Sequence, residues 1–363
     1  MSEKYFAVIM AGGGGTRLWP LSRRKKPKQM LALIEARTLF QIAVERLADL
    51  FPPERILVVT TKEQAQELQA QTLLIPGDNF LLEPAPRGTA SAIGLAAAVL
   101  QNRQKGATMA VLTADHYIGN ESKFLEMLRA AEETAQKGFL VTLGIEPTSP
   151  SSAYGYIQQG EELGTFGGKK AFRAARFKEK PSPEQAQEML AAGGNAWNSG
   201  MFIWQVETIM SEFGRQMPEL KAALDQIGAA WDGNEREQVL AKLWPALKPE
   251  TIDYGIMENA EKVAVIPASG LQWNDVGSWN ALFDVLETDE AGNVALGGEQ
   301  LNMGTSSTLV HSDAAGRMVV TIGVEDLVIV DTEDVLLVCA KDQAEKVRQA
   351  IQKISELGKD QFL

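Results

Sequence analysis

Runs of apolar residues alternate with helix-like stretches along the first part of the chain. Five short runs have the aliphatic character of strands that are buried on both faces of a sheet: residues 5–10, 56–60, 80–82, 109–112 and 140–143. Between them lie stretches with helical spacing or helix start signals: residues 39–50, 63–71, 89–101 and 122–137. Because the two kinds of element alternate so regularly, the pattern predicts an α/β fold with a doubly wound, mostly parallel sheet.

The alternation stops at the Pro-Thr-Ser-Pro sequence of residues 147–150. Strand-like runs at 153–157 and 176–180 flank a glycine-rich loop at 164–168, and we interpret them as an inserted substrate-binding lobe. A capping box at Ser182 begins a helix. Strand patterns follow at residues 197–204 and 263–266, and the stretch between them, residues 206–247, has a helical pattern.

A change in composition over residues 288–298, which are rich in Gly and acidic residues, marks a predicted boundary. It divides the chain into domains 1–287 and 288–363. Beyond it lie short β-type runs and one helical pattern: residues 307–311, 317–322, 327–330, 335–340 and 342–357. These predict a small C-terminal β unit with a terminal helix, although no clean hexapeptide repeat is present.

The glycine-rich stretch 11–23, Ala-Gly-Gly-Gly-Gly-Thr-Arg-Leu-Trp-Pro-Leu-Ser-Arg, follows the first strand. Glycine has no Cβ, so successive backbone N–H groups can approach phosphate oxygens closely. The residue types after the last glycine exclude a Walker A loop and a dinucleotide fingerprint. A flexible glycine turn is the alternative, but cations interleaved with Trp19 and Pro27 favour a phosphate cradle.

Composition narrows the classes of function. The chain has 363 residues and a formal net charge of -12, which argues against non-specific nucleic-acid binding. Its single cysteine, Cys339, excludes an internal disulfide and cysteine-cluster metal sites. We find no signal peptide and no apolar run of membrane-spanning length, so we expect a cytoplasmic protein without membrane contact.

The sequence Gly-Gly-x-Gly-Thr-Arg-Leu-x-Pro-Leu-Ser at residues 12–22, followed by Pro-Lys-Gln at 27–29, resembles the signature loop of the sugar-phosphate nucleotidyltransferases. The form with Trp19 is similar to the mannose-1-phosphate guanylyltransferases of that family. The resemblance implies a Rossmann-like nucleotidyltransferase fold with a short left-handed C-terminal β-helix. It also implies Mg²⁺-dependent transfer of GMP from GTP to mannose 1-phosphate, giving GDP-mannose and pyrophosphate.

Such a transfer needs no general base, because the attacking sugar phosphate is already anionic. The obstacle is repulsion between two polyanions, so catalysis should depend on positioning and on neutralisation of charge. This chemistry suits a site of Gly, Arg, Lys and metal-binding Asp. We expect Arg17 and Lys28 to neutralise the triphosphate. Backbone or hydroxyl donors would come from the loop: Gly12, Gly13, Gly15 and Thr16.

Two aspartates are candidate metal ligands. Asp115 follows the fourth strand, near the position where the glycine loop should open, and Mg²⁺ prefers carboxylate oxygens. Asp275 lies between Trp273 and Trp279, where the alternative is a helix N-terminus with Ser278 as its cap. The two interpretations of Asp275 are evenly balanced on the residues alone, and the resemblance favours metal binding.

The resemblance also implies substrate-binding positions away from the glycine loop. Glu179 and Lys180 of the Glu-Lys-Pro sequence correspond to contacts with sugar hydroxyls and sugar phosphate, and Lys180 is counted among the catalytic residues. Gly155 and Asn198 are similar to further sugar-binding positions. Alone, a Glu-Lys-Pro sequence is usually an exposed turn at the end of a strand.

The segment 82–89 is predicted to select the base of the nucleotide. Glu83, Arg87 and Thr89 offer a carboxylate, a guanidinium and a hydroxyl, which can read the edges of guanine. The family form has Asn where this chain has Gly88, which removes one candidate purine contact.

Two rival functions remain open. The chain could transfer a nucleotide between other substrates, glucose 1-phosphate with UTP, dTTP or ATP. It could also be a catalytically silent sugar-nucleotide sensor, although it keeps the charged residues that the reaction needs. A homodimer through the C-terminal unit is a further possibility.

Overall fold

The structure is a computed structural model that describes residues 2–13, 15–314 and 316–363. It divides into two compact units. The first comprises the chain up to Gly12 together with Val44–Thr113 and Ile118–Gln272. The second comprises Gly13–Ala43, Ala114–Tyr117 and Trp273–Leu363. These units cut across the proposed division at 287/288, which stays a prediction.

The strands are β1 Tyr5–Met10, β2 Ile56–Thr61, β3 Phe80–Glu83, β4 Thr108–Thr113, β5 Tyr117–Ile118, β6 Leu140–Ile145, β7 Tyr156–Phe166, β8 Lys169–Lys178, β9 Asn195–Gln205, β10 Val263–Pro267, β11 Trp273–Asn274, β12 Val294–Leu296, β13 Glu299–Met303, β14 Leu309–Ser312, β15 Met318–Ile322, β16 Leu327–Asp331 and β17 Leu336–Ala340. The α-helices are α1 Leu39–Glu45, α2 Lys62–Gln71, α3 Gly88–Arg103, α4 Glu121–Ala135, α5 Pro183–Ala192, α6 Val206–Gln216, α7 Pro218–Ala230, α8 Arg236–Leu243, α9 Ile252–Gly255, α10 Ala281–Val285 and α11 Val347–Glu356.

The described part of the first unit contains a nine-stranded sheet in the order β3-β2-β1-β4-β9-β6-β10-β8-β7. The pairs β3–β2, β2–β1, β1–β4 and β6–β10 are parallel. β9 is antiparallel to β4, β6 and β7, and β8 is antiparallel to β7 and β10. Only β8 and β9 of these nine therefore oppose the common direction, and the predicted mostly parallel α/β sheet is confirmed.

Close packing holds α3 against α7 in the first unit. All six residues of β2 are buried, as expected for a strand that is covered on both faces. On α3, Gly94 lets α7 approach, because a Cβ at this position would lie 2.4 Å from Leu224 Cδ1. The resulting core holds α3 in place, and its first turn carries Gly88 and Thr89.

The predicted lobe after residue 150 is a long β-hairpin rather than two short strands around a loop. β7 and β8 pair over almost their whole length, and the turn is confined to Gly167 and Gly168, both with positive φ. The expected strand at 176–180 ends at Lys178. Glu179 and Lys180 therefore follow the strand, and their side chains are not constrained by its alternation.

Short parallel strands form the C-terminal part of the second unit. Val294 pairs with Leu309, and Leu309 with Val328, so β12, β14 and β16 stack in register, while β13 pairs with β15 in a second parallel layer. β17 closes the first layer as an antiparallel strand. The stacking confirms a β-helix-like unit, and its left-handedness stays a prediction.

The terminal helix is shorter than the predicted 342–357, because a 3₁₀ segment, Lys341–Lys346, precedes α11. No helix in the described ranges combines the length and the apolar character that crossing a membrane requires.

Candidate active site

The glycine loop turns tightly in the second unit. Gly15 has φ +49, and an added Cβ would lie 2.5 Å from Lys28 Cβ, so only glycine fits beside this lysine. Thr16 begins a 3₁₀ turn, Thr16–Leu18, and the carbonyl oxygen of Gly13 accepts a hydrogen bond from Gln29 Nε2 at 3.3 Å. Gly14 lies outside the described residues. The loop is thus packed directly on the Lys28 segment.

Five residues are predicted to be catalytic: Arg17, Lys28, Asp115, Lys180 and Asp275. All of them except Lys180 meet in the second unit. Lys28 Nζ donates a hydrogen bond to Asp115 Oδ2 at 2.9 Å and another to the backbone oxygen of Asp275. Arg17 Nη2 lies 3.7 Å from Asp275 Oδ2. The Lys28 side chain is only 6% exposed, whereas that of Arg17 is 36% exposed. Lys28 is therefore committed to the two aspartates, and the Arg17 guanidinium remains accessible to a ligand.

The charge balance of this cluster keeps Asp115 ionised. Desolvation alone would raise the pKa of its carboxyl group, but the nearby Lys28, His116 and Arg17 together hold that pKa below its usual value. His116 is itself oriented, because Trp273 Nε1 donates to its Nδ1 at 3.1 Å. The result is an ionised carboxylate among positive groups, which can bind a cation that arrives with phosphates.

Asp275 is not at a helix N-terminus. The next helix, α10, begins at Ala281, and it has no side-chain cap. Instead, Asp275 Oδ1 accepts from the backbone N–H of Gly277 at 3.1 Å, and Val276 adopts φ +46. Positive φ is strained for a β-branched residue and is often found at functional sites. The capping alternative for Asp275 is therefore wrong.

The two aspartates fit the requirements of Mg²⁺. Among the described residues no group of three or more His, Cys, Asp or Glu side chains could hold a metal ion. Mg²⁺ usually takes one or two carboxylates and completes its shell with substrate phosphates and water, which is what Asp115 and Asp275 can offer.

The predicted sugar-binding residues form a second cluster, in the first unit. Lys180 Nζ lies 3.0 Å from Glu179 Oε1, and Asn198 donates its backbone N–H to the oxygen of Gly155 at 2.8 Å. A Cβ on Gly155 would lie 2.3 Å from Glu179 Oε2, so glycine makes room for that carboxylate. Lys180 has φ +42 and an exposed side chain. The Glu179–Lys180 ion pair and Asn198 are thus close together, and the backbone of Lys180 is strained.

Glu83, Arg87 and Thr89 lie in the first unit at the end of β3 and the start of α3. Glu83 is buried, and burial raises its pKa from 4.5 to about 7. Gly12 lies against it, since a Cβ on that glycine would be 2.7 Å from Glu83 Oε1.

Arg87 Nη2 donates to the backbone oxygen of Pro245 at 2.9 Å. The Thr89 hydroxyl accepts from the N–H of residue 252 at 2.9 Å. Arg87 and Thr89 therefore anchor this loop, whatever they contribute to base recognition.

The departure from the family form at Gly88 has a backbone cause. Gly88 has φ +81, and an added Cβ would lie 2.1 Å from the carbonyl oxygen of Glu250. That oxygen also accepts the N–H of Ala90. Any side chain at position 88 would push this contact apart, so the absence of Asn reflects the close approach of the two segments.

Replacing Gly88 by alanine is expected to lower the free energy of unfolding by about 2–5 kcal/mol, the sum of left-handed strain and overpacking. Urea denaturation would measure it. Gly77→Ala is the matched control, because no atom lies within 4 Å of its added Cβ. Equal stability of Gly88→Ala and the unmodified protein would contradict the close contact.

The buried Glu83 predicts a pH dependence of stability. Between about pH 4.5 and 7 the folded protein keeps a proton on Glu83 that the unfolded chain has lost, so stability falls as pH rises. The full decrease corresponds to about 3 kcal/mol.

We expect Glu83→Gln to remove this decrease, so that its stability relative to the unmodified protein rises between pH 5 and pH 8. Urea denaturation at both values measures the difference, with the exposed Glu63→Gln as control. Parallel pH profiles of Glu83→Gln and the unmodified protein would show that Glu83 titrates normally.

Sequence patterns missed the residues that hold the glycine loop from a distance. Arg23, the last residue of the stretch 11–23, donates to Asp334 and to the backbone oxygen of Phe362, and Trp19 Nε1 donates to the same oxygen at 2.7 Å. Separations of more than 300 residues along the chain leave no local signal. Arg23 thus supports the loop, and its guanidinium is already paired within the protein.

Comparison with known proteins identifies the family of the chain. Residues 6–292 match the Nucleotidyl transferase family, and residues 298–354 match the MannoseP isomerase/GMP-like beta-helix domain. The chain belongs to the nucleotidyl transferase family of enzymes.

Within that family it is a member of the mannose-1-phosphate guanylyltransferase group. It is 37% identical to the mannose-1-phosphate guanylyltransferase of Klebsiella pneumoniae and 36% identical to that of Escherichia coli, in both cases over 98% of this chain and 75% of the relative. A crystal structure from Thermus thermophilus, titled mannose-1-phosphate geranyltransferase, superposes with a TM-score of 0.86 at 38% identity. That match covers 97% of this chain and 99% of the other.

Proposed function

We propose that this protein transfers GMP from GTP to mannose 1-phosphate, with GDP-mannose and pyrophosphate as products. An oxygen of the sugar phosphate attacks the α-phosphorus of GTP in line, a new P–O bond forms, and the bond to the pyrophosphate oxygen breaks. The observation that carries the proposal is the cluster of Lys28, Asp115, Asp275 and Arg17. The choice of GTP and mannose 1-phosphate follows from the names of the chain's relatives, mannose-1-phosphate guanylyltransferases.

In this proposal the chain's residues neutralise and orient the phosphates. Arg17 places its accessible guanidinium on the triphosphate, and N–H groups of the glycine loop donate to phosphate oxygens. Asp115 and Asp275 would hold Mg²⁺, which supplies neutralisation of phosphate charge when bound. Lys28 keeps Asp115 ionised and in place. No side chain is needed as a general base, because the attacking phosphate is already deprotonated.

The residues of the first unit are proposed to select the substrates. Lys180 faces the sugar phosphate, while Glu179, Asn198 and Gly155 line the sugar. Glu83 and the backbone around Arg87 read guanine.

Pyrophosphate release by the purified protein tests the proposal. GTP, ATP, UTP and dTTP are each paired with mannose 1-phosphate and with glucose 1-phosphate, with Mg²⁺ and with EDTA. Release confined to GTP and mannose 1-phosphate, and abolished by EDTA, is the expected result. Release with other pairs would point to another specificity, and silence with every pair despite binding of GDP-mannose would favour the sensor.

We propose a cytoplasmic location for the protein. The homodimer stays a prediction that light scattering in solution would test.

A further inference from the structure

Asp253 lies beside the predicted sugar cluster, although no sequence motif points to it. It belongs to the short helix α9 of the first unit and is partly exposed. Asn198 Nδ2 donates a hydrogen bond to Asp253 Oδ1 at 2.8 Å. This contact brings a carboxylate that is distant along the chain next to an amide already proposed to line the sugar.

The orientation of Asn198 is determined by its neighbours. Its side-chain oxygen accepts from the backbone N–H of Gly200 at 3.1 Å. Because the oxygen faces this donor, the amide NH₂ points to Asp253. The carboxylate of Asp253 therefore has a defined position rather than a choice of partners.

The surroundings of Asp253 disfavour its ionised carboxylate unless further hydrogen-bond donors are supplied. Burial, and then the carboxylate of Glu179, raise the pKa of Asp253 to about 6, and Lys180 offsets this only in part. The Lys180 side chain is 60% exposed and is already paired with Glu179. Hydroxyl groups are suitable donors here, because each can donate to a carboxylate without adding charge.

The segment that carries Asp253 also contacts the loop predicted to read the base. The N–H of Ile252 donates to Thr89 Oγ1 at 2.9 Å, and the N–H of Glu250 donates to the oxygen of Arg87 at 3.2 Å. One short segment of the first unit thus touches both groups of predicted substrate-binding residues.

We propose that Asp253 is a specificity-determining residue whose carboxylate, together with that of Glu179, accepts hydrogen bonds from hydroxyl groups of the hexose phosphate. The inference rests on the proposed function. A site that pairs buried acceptors with particular hydroxyls discriminates strongly against a sugar that leaves one acceptor unpaired. Asp253 would therefore help to distinguish mannose 1-phosphate from its C2 epimer, glucose 1-phosphate.

Asp253→Asn separates contact with the sugar from support of Asn198. The new amide can turn its oxygen towards Asn198 Nδ2, which preserves that hydrogen bond, but its NH₂ then replaces the acceptor that faces the sugar. We expect the KM for mannose 1-phosphate to rise about 10- to 100-fold, the value of one hydrogen bond to a charged acceptor, while the KM for GTP changes less than about twofold. The preference for mannose 1-phosphate over glucose 1-phosphate should fall as well.

Two further variants complete the experiment. Asp253→Glu keeps the charge but moves the carboxylate by one methylene, and it is expected to raise the same KM, which covers the case in which Asp253→Asn fails to fold. Asp225→Asn, on an exposed aspartate of α7 that pairs with Lys221, is the control.

An unchanged KM for mannose 1-phosphate in Asp253→Asn overturns the inference, and so does an equal rise in both KM values. If instead the unmodified protein turns over no substrate pair, the proposed function itself has failed. The two failures are therefore distinguishable.

Discussion

Arg17→Ala is expected to lower kcat about 10³-fold, in the range found when a group that stabilises transition-state charge is removed. Arg17 lies 3.7 Å from Asp275 and keeps 36% of its side chain exposed, so its guanidinium can reach a ligand. A partly exposed ion pair contributes little to folding, and the free energy of unfolding should change by less than about 1 kcal/mol. The variant should therefore be folded but nearly inactive.

Steady-state rates of pyrophosphate release, with circular dichroism as a check of folding, measure this effect. Arg17→Lys keeps the charge but loses the planar fork of donors, so it should recover only part of the rate. Arg348→Ala makes the same chemical change at an exposed position of α11 and should leave the rate unaltered. A folded Arg17→Ala protein with full activity would remove Arg17 from the catalytic residues.

Lys28→Met is expected to reduce both activity and stability. Its ammonium is almost fully enclosed and donates to Asp115 and to the backbone of Asp275. Without it, Asp115 loses the positive charge that lies 2.9 Å from its Oδ2, and the pKa of Asp115 should rise above its present lowered value.

We expect kcat/KM to fall about 10³-fold, because the Asp115 carboxylate, which we propose as a ligand of Mg²⁺, is both displaced and less ionised. The free energy of unfolding should fall by about 2 kcal/mol, less than for a fully buried pair because Asp115 is partly exposed.

Urea denaturation and the pH profile of kcat/KM measure these changes. Lys353→Met, at an exposed position of α11, is the matched control. If Lys28→Met keeps the stability and the pH profile of the unmodified protein, Lys28 does not hold Asp115. The contrast with Arg17→Ala is informative, since one variant should lose only activity and the other both properties.

Local patterns predicted most of the first unit because its strands are buried on both faces. Apolar runs such as 56–60 and 109–112 cannot be exposed, and they match β2 and β4 to within a residue. The direction of β9 had no such signal, because parallel and antiparallel central strands are equally apolar. The hairpin of β7 and β8 was also misjudged, since Gly164 lies within a strand and only Gly167 and Gly168 turn the chain.

The glycine loop could be predicted because the residues that form it are adjacent in the sequence. The assignment of Asp115 and Asp275 as metal ligands stays a prediction, and for Asp275 the residues alone left a helix N-terminus equally open. A glycine run followed by Thr16 and Arg17 at the end of a strand indicates phosphate binding by residue type and spacing alone. The role of Lys28 could not be deduced in this way. Its sequence indicated a phosphate ligand, whereas the fold encloses it between two aspartates 87 and 247 residues away.

The amino-acid sequence by itself determined the α/β alternation and the position of the glycine loop, and it predicted the charged residues that we propose for nucleotidyl transfer, since each depends on neighbours within a few residues. Only the tertiary structure decided which of those residues are committed to one another. It placed Lys28 on Asp115, Arg23 on the C-terminal segment, Asp253 on Asn198, and the carbonyl of Glu250 where position 88 can only be glycine. The physical reason is that hydrogen bonds and close packing act over a few ångströms of space, and the chain segments that meet there are far apart in sequence.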